Sequence, residues 1–294
     1  MTSTTTASRD ASAFPLALGG CLLAVSVVTA VVVGVVTPSA ATTTSLEEVG
    51  QWLGWFCGVG LLVAINVALA TSVVARRGSP RRFAVALVAA TLAFYLASFL
   101  LSLARGWLVN AWIAQQPEAT RSILTLLPFA SLLQMLLVAA LGLALAWKLG
   151  GNGAVPVTWT PRARRAIGGV VALGACMGLL PLQGRLMAML DLVSLPTLQQ
   201  GLPFLAVTLG VAHALAWALW PVRAGSGAWP AFVSAALVGP LLLAFAWLSQ
   251  FILARLEQPM LVSAVASALL LACPLVAWVA CRAVGNRLLV ASPG

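Results

Sequence analysis

Eight long stretches of this chain are apolar, and nothing else in it constrains the fold so strongly. They run over residues 14–36, 52–75, 83–104, 123–149, 166–186, 202–220, 231–253 and 260–281. A hydrocarbon core about 30 Å thick takes roughly 20 helical residues at 1.5 Å each. Lipid offers a backbone amide no partner, so each stretch must close its own hydrogen bonds as a helix. The expected fold is an all-α integral membrane protein with eight transmembrane helices.

Composition agrees. Of 294 residues, 62% are hydrophobic and 7% charged, and the mean hydropathy is +1.05. A soluble domain carries about 25% charged residues, so this chain lacks the polar surface to sit in water. The net charge of +10 would point to nucleic acid in a soluble protein. No basic segment outside the apolar stretches is long enough to make a groove contact, so nucleic acid is excluded as a partner and membrane lipid takes its place.

Charge then orients the helices. Arg76, Arg77, Arg81 and Arg82 crowd the short loop between the second and third stretches. Short Lys/Arg-rich loops stay cytoplasmic. With the N-terminus inside, all 16 Lys and Arg except Arg105, Arg121, Arg185 and Arg255 fall on the cytoplasmic side. Every acid except Asp10 falls on the other. A wrong helix count would scramble that separation, so both termini are expected in the cytoplasm of a cell whose plasma (inner) membrane the chain crosses repeatedly. The first stretch is too long, and its flank too poor in cations, for a cleaved signal peptide, so it is read as a retained helix.

A shift of about 150 residues lays the first four stretches over the last four. Ala17-Leu18-Gly19-Gly20 meets Ala166-Ile167-Gly168-Gly169, and Leu103-Ala104-Arg105 meets Leu253-Ala254-Arg255. After that arginine the first half carries extra loop residues; allowing for them, Gln116-Pro117 meets Gln258-Pro259, and Gly151-Asn152 meets Gly285-Asn286. Matches among Arg, Gln-Pro and Gly-Asn carry weight because those types are scarce in the chain. Four spans per unit is an even number, so the halves form a parallel repeat about an axis along the membrane normal. The expected organisation is a disordered tail at 1–13, a four-helix unit at 14–149, a cytoplasmic linker at 150–165, a second unit at 166–287 and a tail at 288–294.

Polar residues at membrane depth are the candidate ligand contacts. Arg105 and Arg255 stand at the outer ends of matching helices, where guanidinium groups suit phosphate or carboxylate. The plainer account is an arginine that snorkels to the headgroups. Asn66 and His213 lie mid-stretch at nearly matching positions, suited to an interhelical hydrogen bond or to a solute path. Gln134 and Gln250 add two uncharged polar groups. Thr91, Ser98 and Thr208 are expected to bond their own helix backbones. The Gly-Gly pairs are read as points of close helix contact.

No catalytic machinery is evident. There is one histidine, no buried carboxylate pair, no Gly-x-Ser-x-Gly and no His-Glu-x-x-His. The five cysteines contain no Cys-x-x-Cys and read as small buried hydrophobes rather than a zinc or disulfide framework. No metal or cofactor is expected. Two functional classes remain. One is binding or transport of a small solute or lipid at the interface between the repeats. The other is a non-transporting subunit, assembly factor or sensor that acts through a partner membrane protein or as a homo-oligomer.

Overall fold

In the computed structural model, residues 4–36, 45–116, 118, 120–153, 159–189, 196–219, 228–237, 275 and 279 are described. The regular structure among them is helical. Six helices run in order: α1 (Thr4–Val36), α2 (Ser45–Arg77), α3 (Phe83–Gln115), α4 (Thr120–Gly150), α5 (Pro161–Met189) and α6 (Pro196–Leu219). A seventh, α7, is described over 229–237. Five stretches are long and apolar enough to cross a membrane: Ala13–Val33, Trp52–Arg77, Phe83–Gln115, Leu126–Gly150 and Pro161–Gly184. They are compatible with a membrane protein, and they overlap the first five apolar runs. The sixth run is helical too, with a shorter apolar core at Ala206–Trp217. Most of the seventh run and nearly all of the eighth lie outside the described residues.

Local chemistry sets the helix ends. Gly78 closes α2 in the left-handed region at φ 76°, where a side chain would be strained. Its N–H returns to the Val74 carbonyl at 2.9 Å, and Pro80 then blocks any continuation. Gly151 ends α4 the same way, at φ 72°, with its N–H on the Trp147 carbonyl at 3.1 Å. Thr160 caps α5: its Oγ1 accepts the Ala163 N–H at 3.3 Å, with Pro161 at the first helical position.

Two helices outrun the expectation. α1 begins at Thr4, ahead of the apolar stretch that starts at Phe14. A membrane-crossing helix already supplies the nucleus, and Ala7, Ala11 and Ala13 add turns at little cost. α3 continues past Arg105 to Gln115. A charge ends an apolar stretch without interrupting the backbone ladder, so the helix extends as long as its residues favour helix. At 33 residues it is about 50 Å long, well beyond what 30 Å of hydrocarbon needs.

The chain divides into two compact units, one of residues 1–28 and 65–159, the other of 29–64 and 160–294. In the first, α3 and α4 pack antiparallel. Small residues line the seam at the start of α3 and the end of α4: a Cβ on Gly142 would sit 3.0 Å from the Ala90 carbonyl, and one on Gly150 would sit 2.8 Å from Ala86 Cβ. α1 runs parallel to α3. Phe14 meets Phe83 edge-on at 5.7 Å, and further along Tyr95 donates to the Leu22 carbonyl at 2.6 Å with Ser26 Oγ 2.7 Å from its hydroxyl. Phe14 also meets Trp147 edge-on at 5.1 Å. The outward face of α3 is a stripe of exposed Leu92, Leu96, Phe99 and Leu103. Such a stripe is a liability in water and the natural face toward lipid.

In the second unit, α2 meets α5 through paired small residues. Gly60 and Ala64 on α2 face Gly174 on α5, and Gly178 faces Leu61. Lipid provides no hydrophobic force between helices, so backbone contact of this kind holds them through dispersion. α5 packs antiparallel on α6, with Gly168 against the Trp217 ring and Gly210 against Leu173 and Met177. Gly168 is thus a close-contact glycine, as expected of the Gly-Gly pairs. A Cβ on Gly20 would meet open space instead, so that glycine contacts no neighbour among the described residues. Cys57 and Cys176 are buried thiols.

Candidate functional site

Two polar clusters occur among the described helices, one in each unit. The first lies along the α3–α4 seam, beyond the small residues. Gln134 on α4 donates through Nε2 to the Ser98 carbonyl and to Ser102 Oγ on α3, each at 3.1 Å. One turn further, Arg105 Nη1 donates to Ser131 Oγ at 2.5 Å. Ser131 passes its own proton to the Leu127 carbonyl at 2.9 Å. The register explains the pairing: Ser98, Ser102 and Arg105 recur at helical spacing on one face of α3, and Ser131 and Gln134 do the same on α4.

Arg105 therefore differs from the expectation in two ways. It stands within α3 rather than at its end, and it is held by a neutral hydroxyl on α4 rather than free to snorkel. Ser131 uses one of five guanidinium N–H groups. Among the described residues Arg105 forms no ion pair. Beyond it, Trp107 (72% exposed), Leu108 and Trp112 stand out from the helix.

The second cluster joins α5, α6 and α7. His213 is fully buried, and its Nε2 lies 2.7 Å from Ser234 Oγ. Trp217, one turn along α6, donates its indole N–H to the same oxygen at 3.2 Å. Ser234 in turn donates to the Ala231 carbonyl at 2.9 Å. On α5, Gln183 Nε2 reaches the Ala236 carbonyl at 2.9 Å, while its Oε1 is buried without a partner among the described residues.

Asn66 belongs to the first unit, where it is 2% exposed and is not without a partner. Within that unit Gln134 and Arg105 share the α3–α4 seam. His213 belongs to the other unit. Gln250 and Arg255 lie outside the described residues. Ser131, Gln183 and Ser234 escaped the sequence reading. Serine is common enough in membrane helices to carry no signal alone, yet Trp217 one turn from His213 already asked for an acceptor across from that face. Thr91 bonds its own helix at the Leu87 carbonyl, 2.9 Å away, as a mid-helix threonine does. Among the described residues no three His, Cys, Asp or Glu gather as a metal site.

No family model, no curated protein and no solved structure matches this chain.

Proposed function

We propose that this is a polytopic membrane protein that binds, and in its fuller role moves, a small solute or lipid bearing a negative charge. In this reading eight helices cross the plasma (inner) membrane as two parallel four-helix repeats, with both termini cytoplasmic. The five long apolar helices, the antiparallel run of α3 and α4, and the one-sided distribution of arginine support that topology.

The observation that carries the binding reading is Arg105 on Ser131. A neutral hydroxyl answers only one of the guanidinium donors. The remaining donors suit a carboxylate or phosphate. Gln134 and Ser102, one turn away, extend the polar surface along the same seam. Arg255, Asn66, His213 and Gln250 remain candidate contacts on sequence grounds.

The test is extraction of the protein in its native lipid patch, followed by mass spectrometry of what stays bound. Wild type is expected to hold an anionic compound that Arg105→Gln loses and Arg105→Lys partly keeps. Identical bound sets in all three forms would sink the reading.

A second reading rests on α3 beyond Arg105. Trp107 and Trp112 are exposed where the helix has outrun the membrane thickness, and such aromatics favour contact with another protein. The chain would then be a non-transporting subunit, assembly factor or sensor. Trp107→Ala together with Trp112→Ala would abolish that association while sparing the anion retained at Arg105.

A further inference from the structure

We infer that the turn between α2 and α3 is a built site for the phosphate of an anionic lipid, separate from Arg105 and independent of the function proposed for it. Arg76, Arg77, Arg81 and Arg82 are exposed around this turn, and Lys148 is exposed on the last turn of α4 beside it. Of the side chains described in this unit, Glu118 alone is acidic. It lies between α3 and α4, at the opposite end of that helix pair. No described carboxylate of the unit therefore neutralises the cations.

A basic loop that merely obeys the topology rule needs no fixed shape. This one is pinned from both sides. Gly78 folds back on Val74, with its N–H 2.9 Å from the carbonyl. Arg82 N–H donates to the Gly150 carbonyl at 3.0 Å, tying the start of α3 to the end of α4. A Cβ on Gly150 would sit 3.2 Å from Pro80 Cβ, and Gly153 presses against the Ser79 backbone. The arginines consequently project from a braced backbone, so the ordering entropy of binding falls on their side chains and not on the turn itself.

Depth selects the ligand. The apolar span of α2 ends at Arg77 and that of α3 begins at Phe83. The four arginines thus sit where hydrocarbon gives way to headgroups, at the level of lipid phosphates. Guanidinium forks match phosphate oxygens two at a time, which a lysine does not.

The whole chain, reconstituted in nanodiscs of equal parts phosphatidylglycerol and phosphatidylcholine, is released and its retained lipid counted by native mass spectrometry. Wild type is expected to keep phosphatidylglycerol in preference. Arg81→Gln with Arg82→Gln is expected to weaken that retention roughly five-fold for each arginine lost, while Arg81→Lys with Arg82→Lys retains an intermediate amount and phosphatidylcholine is unchanged. Undiminished phosphatidylglycerol in the Gln pair, or equal loss of both lipids, overturns the site. If inorganic phosphate at matched ionic strength strips the phosphatidylglycerol, a soluble anion occupies the turn and the lipid assignment falls. Should the Gln pair not fold, the single variants decide: retention unchanged in both overturns the proposal.

Discussion

His213 Nε2 and Ser234 Oγ lie 2.7 Å apart with neither side chain exposed. Ser234 also lies within hydrogen-bond reach of the Ala231 carbonyl and takes the Trp217 indole N–H. A single hydroxyl thereby joins α6 to α7. Ser234→Ala would leave the buried His213 and Trp217 side chains without that shared partner. The expected cost is about 1–3 kcal/mol of unfolding free energy, measured by denaturant titration in detergent. In the background of His213→Phe the same change should cost less, because the two side chains act as one unit.

The α2–α5 contact predicts a sharper failure. A Cβ on Gly174 would collide with the Gly60 carbonyl, and a backbone oxygen cannot swing aside as a side chain can. Gly174→Ala should cost about 1–3 kcal/mol, and Gly174→Val more. Thermal inactivation of the purified protein reads both. A Gly174→Val protein as stable as wild type would mean that the helices do not touch there.

Gln134→Leu tests the seam without disturbing charge. Its bonds to Ser98 and Ser102 are made within a helix pair, where such bonds average about 0.6 kcal/mol. A loss near 1 kcal/mol is expected, with the fold intact by circular dichroism. Loss of folding altogether would show that these polar bonds, and not the close backbone contact of Ala90 with Gly142, are the main tie between α3 and α4.

Trp147 contributes a ring and leaves a donor over. The ring packs on Phe14, yet the buried indole Nε1 has no acceptor among the described residues. Trp147→Phe keeps the aromatic contact and removes the orphan donor, so stability should hold within about 1 kcal/mol of wild type. Trp147→Ala should lose about 3–5 kcal/mol through the cavity it leaves. Melting temperatures of the two variants, compared in one detergent, check the ordering.

The long apolar helices were legible because lipid leaves a backbone no alternative: any stretch of that length and polarity must be helical. Their stops were partly legible, since Gly78 two residues before Pro80 and Gly151 after α4 are local stop signals. The reach of α3 was not. Arg105 reads as a boundary in a hydropathy profile, but helix propagation responds to backbone geometry and not to side-chain charge. Among the candidate residues, His213 and Asn66 announced themselves by polarity at depth. Ser131, Ser234 and Gln183 did not, because only the facing helix makes a serine or glutamine into a partner.

The amino-acid order by itself dictated a chain of apolar helices that belongs in a membrane, because hydrophobic length and backbone satisfaction are properties of each segment alone. It also marked where cations gather. Only the packed structure decided that Arg105 rests on Ser131, that Ser234 serves His213 and Trp217 together, and that Gly174 bears directly on Gly60. Those are relations between segments far apart in the chain. In lipid they are settled by close shape-matching and hydrogen-bond geometry, to which the polarity of a single helix is blind.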